Sequence, residues 1–134
     1  MCLFTRFRLG VFIPDKKAQT IAETLLHFWV RPMGIMQYLH TDRGSEFLNQ
    51  ELSAVCDYLG VKMTATAANT PNANGVCERN HAVVDQMLDK MLTADRNMKP
   101  EVALAWAVTA ANSLDNRHGY SPAQLVFGRD PCVK

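Results

Sequence analysis

The chain lacks any Cys-x-x-Cys, any histidine pair at metal-ligand spacing, and any excess of charge of one sign. Its four cysteines, Cys2, Cys56, Cys77 and Cys132, are scattered. They read as reduced thiols of an intracellular protein, not as a disulfide framework or a structural zinc site. A net charge of +1 neither demands nor excludes a nucleic-acid partner, so that question falls to local features. No stretch approaches the roughly 20 apolar residues that cross a bilayer; the run from Val102 to Ala111 is too short and reads as a core helix. Arg6 and Arg8 follow the first apolar residues without a small-residue cleavage site, so no signal peptide is expected. Internal repeats, low-complexity tracts and linkers are also missing.

What remains is ordinary globular chemistry. With 134 residues, 48% hydrophobic and 20% charged, the chain is expected to form one domain, 1–134, large enough to bury a core. It begins abruptly in Cys2-Leu3-Phe4-Thr5-Arg6-Phe7, already in strand-like chemistry, as if cut into. Phe7 to Ile13 is rich in β formers and is predicted to be a strand closed by Pro14. Asp15 can cap the next helix, with Thr20-x-x-Glu23 as a capping box one turn in. Ile21, Leu25, Phe28 and Trp29 form its apolar stripe, and Pro32 and Gly34 are expected to end it.

The apolar run from Ile35 to Leu39 predicts a short buried strand. Asn49 is the expected cap of a helix carrying Leu52, Val55, Cys56 and Leu59, stopped by Gly60. Val61 to Thr66 reads as another strand, and Asn69 to Gly75 as a turn-rich loop. A long helix to about Leu92 should turn Val76, Val83, Met87, Leu88 and Met91 inward. Lys99-Pro100-Glu101 opens a helix through Leu114, and Ser121-Pro122 opens a short last one. Strands alternating with helices predict an α/β layered domain.

Two acids carry the functional reading. Asp42 follows the Ile35–Leu39 strand, where α/β sheets gather ligands. Glu78 lies early in the long helix, after the turn-rich loop. Hard carboxylate oxygens suit Mg²⁺ or Mn²⁺, and two such ions can drive in-line phosphoryl transfer. Taken singly, an acid at a strand end is commonly a turn former, and one early in a helix commonly complements the dipole. Their flanking residues decide between these readings.

His40-Thr41-Asp42-Arg43-Gly44-Ser45-Glu46-Phe47 and Asn69-Thr70-Pro71-Asn72-Ala73-Asn74-Gly75-Val76-Cys77-Glu78-Arg79-Asn80 resemble the second catalytic aspartate and the catalytic glutamate segments of retroviral and retrotransposon integrase catalytic cores. Thirty-five residues separate the two acids, as in that family's Asp-Asp-35-Glu signature. Gly119-Tyr120-Ser121-Pro122-Ala123-Gln124-Leu125-Val126-Phe127-Gly128-Arg129 is similar to the end of the core in long-terminal-repeat elements. The resemblance covers nearly the whole chain. It implies a ribonuclease H-like layered fold, a central mixed sheet flanked by helices. It implies DNA 3′-end processing and strand transfer, with Asp42 and Glu78 as catalytic metal ligands for Mg²⁺ or Mn²⁺. Asn74 and Gly75 would belong to a loop beside the site, and Asn80 would contact DNA. The expected partners are element-end and target DNA and a second copy in a homodimer, with no membrane and no small-molecule substrate. A eukaryotic element would place the protein in the nucleus.

The chain departs from that pattern in two ways. The family's first strand, which bears its first aspartate, and most of the second are expected to be missing. Asp15 is a poor substitute, being needed as a helix cap. The polypeptide therefore reads as an N-terminally truncated core with two of three carboxylates, expected to be inactive by itself. Ala82 and Asp85 stand where retroviral relatives tend to carry lysines. Two alternatives keep the fold: a domesticated or decayed nucleic-acid or protein interaction module, and a ribonuclease H-like nuclease. Of the remaining residues, His40, His81 and His118 are read as packing or surface side chains. Arg6 and Arg8 are read as solvated on a sheet edge, and Trp29 and Trp106 as core. The Val102–Leu114 helix is either buried or a dimer face.

Overall fold

Two short parallel strands form the only sheet among the described residues of this computed structural model, which describes residues 1–41, 50–65, 71–116 and 118–129. β1 (Tyr38–Thr41) pairs with β2 (Lys62–Ala65), Tyr38 opposite Lys62 and Thr41 opposite Ala65. Parallel strands need a crossover, and α3 (Gln50–Leu59) lies between them in sequence. The chain divides into two compact units, residues 13–76 and residues 1–12 with 77–134.

The first of these units is centred on Leu52, Cys56, Val61 and Ala22, with Ile21, Met36, Leu39, Val55, Leu59 and Met63 packed around them. The apolar periodicity of α3 delivers Leu52 and Cys56 to this core four residues apart, on one helical face. Gly60 ends α3 with φ 69, as expected of a glycine stop. Asn49, its expected cap, lies outside the described residues. α1 (Ala18–Leu25) opens beneath Asp15, whose carboxylate accepts from the Lys17 N–H at 3.0 Å and the Thr20 hydroxyl at 2.7 Å. Those two hydrogen bonds hold the Asp15 carboxyl below its ordinary value.

Pro32 does not stop this helix. The chain passes through a π turn, Leu26–Val30, into α2 (Arg31–Met33), and Gly34 at φ 83 ends the run. Proline has no N–H and its ring collides with the carbonyl four residues back. Here a turn of wider register precedes it: the Arg31 N–H reaches the Leu26 carbonyl, five residues back. The strand expected at Ile35–Leu39 begins only at Tyr38.

In the second unit the Phe7–Ile13 strand is not found. Residues 6–13 run without a turn or bend and join no ladder; a strand needs a hydrogen-bonded neighbour. α5 (Pro100–Leu114) buries Ala103, Ala107, Val108, Ala111 and Asn112. Its alanines at every fourth residue let neighbours approach closely. α6 (Pro122–Phe127) has the full capping box expected of Ser121: its hydroxyl accepts from the Gln124 N–H at 3.1 Å, and Gln124 Oε1 accepts from the Ser121 N–H at 2.7 Å. Phe7 meets Phe127 edge-on at 5.4 Å. α4 (Pro71–Ala94) enters this unit at Cys77.

Candidate functional site

The two acids read from the sequence fare differently. Thr41, buried at the end of β1, is the residue before Asp42. Asp42 itself lies outside the described residues. Glu78 stands exposed in the third turn of α4. An exposed carboxylate on a regular helix is a hard oxygen donor held at a fixed backbone position, the kind of donor a divalent cation takes. Among the described residues no group of three metal-ligating side chains converges.

The loop expected at Asn69–Gly75 is corrected from Pro71 onward. Pro71 to Gly75 form the opening turns of α4, with proline at the first helical position, where its missing N–H costs nothing. Asn74 and Gly75 therefore precede Glu78 by four and three residues on the same helical face. Among the described residues, a Cβ placed on Gly75 would meet nothing within 4 Å.

Beyond Glu78 the exposed face carries Ala82, Asp85 and Asp89 at successive turns, two acids and an alanine with no lysine among them. This stripe disfavours phosphate. Asn80 is half-buried beside it and, with His81, Val84 and Asp85, lines a cleft of about 290 Å³ within the second unit. Val83, expected inward, is instead 40% exposed; Val84, one residue on, takes the cleft wall.

The arginine reading is corrected for Arg8. It is 5% exposed, and its guanidinium meets Asp115 at 2.7 Å. Asn112 clamps its backbone, Oδ1 accepting the Arg8 N–H at 3.0 Å and Nδ2 donating to the Arg8 carbonyl at 2.8 Å. No sequence pattern points to partners more than a hundred residues away. Trp106 is corrected too: it is 61% exposed on α5 beside Val102. α5 therefore has a buried face and an open apolar one. His40 bridges the strand pair, Nδ1 to the Thr64 hydroxyl at 3.0 Å, a packing role as expected.

No family model matches the chain. It is 28% identical over 130 residues to the retrovirus-related Pol polyprotein from transposon 412 of Drosophila melanogaster, a match covering 96% of this chain and 10% of that protein. It therefore spans about a tenth of that relative's length. Among solved structures, the BIV integrase catalytic core domain superposes with a TM-score of 0.71 at 26% identity, over 87% of this chain and 74% of that one. The HTLV-2 integrase catalytic core domain in complex with magnesium, in a dimeric form, superposes with a TM-score of 0.77 at 19% identity, over 94% of this chain and 79% of that one. The resemblance drawn from the Asp42 and Glu78 segments is borne out, and the fold is ribonuclease H-like.

Proposed function

We propose that this chain, a homologue of transposon and retroviral Pol polyproteins with the fold of an integrase catalytic core, serves DNA integration by a mobile element. The observation that carries the reading is Glu78, exposed on α4 within a segment matching the integrase glutamate motif. Asp42 and Glu78 would hold Mg²⁺ or Mn²⁺, which supplies activation of the attacking water or 3′-hydroxyl and neutralises charge on the leaving oxygen. The donor set fits such a cation in type, since both are hard carboxylates. The HTLV-2 core is solved with magnesium, which supports the same metal class here. Gly75, small and next to Glu78 on one face, leaves room for a DNA backbone to approach. Asn80 offers an amide to it. Element-end and target DNA are the substrates, and the nucleus is where an element of a eukaryotic host would meet them.

In this reading we assign two carboxylates of these 134 residues, Asp42 and Glu78, to such a site. Two negative charges hold a divalent pair less firmly than three, so this polypeptide by itself is expected to show little or no strand transfer. Robust Mg²⁺-dependent strand transfer by the purified chain overturns that expectation. The site assignment is tested in a chain extended upstream by a strand bearing the first aspartate. There Glu78→Gln should abolish joining of element-end DNA to target DNA. Retained joining overturns Glu78 as a ligand, and plain hydrolysis without joining favours a nuclease.

A further inference from the structure

The geometry points to a stacking site for single-stranded DNA on the outer face of the two-stranded sheet, built on Tyr38 and Lys62. Side chains of a strand alternate between its faces. Leu39 and Met63 pack into the core around Leu52 and Cys56, which leaves Tyr38, His40, Lys62 and Thr64 on the other face. The parallel register sets Tyr38 opposite Lys62 and His40 opposite Thr64. The Lys62 N–H donates to the Gln37 carbonyl at 3.0 Å and fixes that register at its first rung.

Three observations single this face out. Tyr38 is 60% exposed, although its ring is the largest apolar surface β1 has to bury. The Lys62 ammonium stands 5.9 Å from the centre of that ring, at the outer limit of a cation–π contact. Among the described residues neither that ammonium nor the Tyr38 hydroxyl makes a hydrogen bond or ion pair. The second rung is held together, His40 Nδ1 lying 3.0 Å from the Thr64 hydroxyl, and none of the four side chains is acidic. The face thus offers an open ring, a cation at its edge and a neutral, fixed neighbour.

That chemistry selects the occupant. An aromatic face takes a nucleobase by stacking, and a cation beside it takes the adjoining phosphate. A duplex keeps its bases stacked at 3.4 Å and turns no base face outward. Successive rungs of a strand lie about 6.6 Å apart, a spacing that an unstacked single strand can follow. A peptide backbone finds no partner here, because strand N–H and C=O groups point along the sheet and not out of it. β1 runs from Tyr38 to Thr41, the residue before Asp42, so a strand held on this face lies along the element that leads to a candidate metal ligand. The inference rests on the integration reading for the identity of the strand, a frayed DNA end. The stacking itself requires neither metal nor carboxylate.

Anisotropy of the purified chain with an oligothymidylate of about 12 nucleotides, within the site size of single-strand binders, tests this in EDTA. The single strand should bind about tenfold tighter than its duplex, the effect of one stacked base. A 5-iodouracil-substituted oligonucleotide should photo-crosslink to Tyr38. Tyr38→Leu should weaken binding about tenfold and Tyr38→Phe should keep it. Lys62→Gln should lower the salt slope by about 0.7, one phosphate contact. Tyr58→Ala, which removes a still more exposed tyrosine on α3, should change nothing. Tighter binding of duplex or of RNA overturns the proposal. So does a crosslink that misses Tyr38, or a Tyr38→Leu chain that binds like its parent. Should Tyr38→Leu lose its circular dichroism, the crosslink on the unsubstituted chain decides alone. Because EDTA removes any metal, a failed metal site leaves these measurements standing, and a failed crosslink leaves the metal site standing.

Discussion

Glu78 shares its helical face with Asp85 and Asp89, all three exposed. At ordinary ionic strength the Debye length is about 8 Å, and Asp85 and Asp89 stand roughly 10 and 16 Å along the helix from Glu78, so a phosphate is repelled locally by whichever acid of the face it approaches. Divalent cations would be drawn to this face and bare DNA kept off it. Replacing Asp85 and Asp89 by lysine should therefore tighten binding to DNA by about tenfold at low salt and steepen its salt dependence, since each new phosphate contact releases condensed counterions. Fluorescence anisotropy across a salt series reads both quantities. Equal affinity and slope for variant and parent would show that DNA does not approach this face. Arg8 is the opposite case: a charge the sequence offers as solvated is buried against Asp115 and spent on structure.

Among the elements, α6 is only six residues long and cannot hold itself by propensity. Its capping box and the left-handed Gly128 at φ 67 close both ends. Ser121→Ala removes the acceptor for the Gln124 N–H and should cost about 1 kcal/mol, read as a lowered urea midpoint with unchanged slope. An unchanged midpoint would mean that packing of Pro122 and Ala123 alone secures the helix. This element was fully legible, because a cap, a proline and a glycine are local instructions. The long helix was legible in kind but not in extent. Asn69–Gly75 is rich in turn formers, yet Pro71 at the first helical position lets α4 begin five residues before Val76. The Phe7–Ile13 strand was misread for a different reason. Its residues have β propensity, but a strand is a relation between two segments, and periodicity within one of them cannot report whether the other is present.

For the molecule as a whole, the layered class and the integrase likeness were legible because motifs and element order are carried along the chain. The burial of Arg8 and the exposure of Trp106 were not, since both depend on residues far away in sequence. The core of unit 13–76 illustrates what the pattern does secure: Leu52 and Cys56 are at most 1% exposed, as their spacing requires. Burial pushes the Cys56 thiol up from its ordinary value of 9.0, with the charge of Asp57 adding to it. Below 9.0 the thiol is protonated in folded and unfolded chains alike. Above it the unfolded chain gives up a proton that the folded chain keeps, so stability falls as pH rises through 9.0 toward the raised value. Thermal unfolding between pH 8 and 10 should show this decline, and Cys56→Ala should flatten it. A variant with the parent's slope would assign the decline to other groups.

Asn112 presents Arg8 with one acceptor and one donor, the two groups a neighbouring peptide would bring. The end of α5 thus carries a detached amide that stands in for a strand. Its usefulness depends on being neutral and two-sided. Aspartate has the same shape but, ionised, only accepts, and one of its oxygens would then face the Arg8 carbonyl. Asn112→Asp should loosen this clamp at neutral pH and recover part of it on acidification, when the protonated carboxyl can donate again. That would make an acid-tightened latch from a fitting that is otherwise indifferent to pH. Exchange of the Arg8 amide against pH would follow it, and an amide equally protected at pH 4 and 7 in the variant would show that the carbonyl side of the clamp holds nothing.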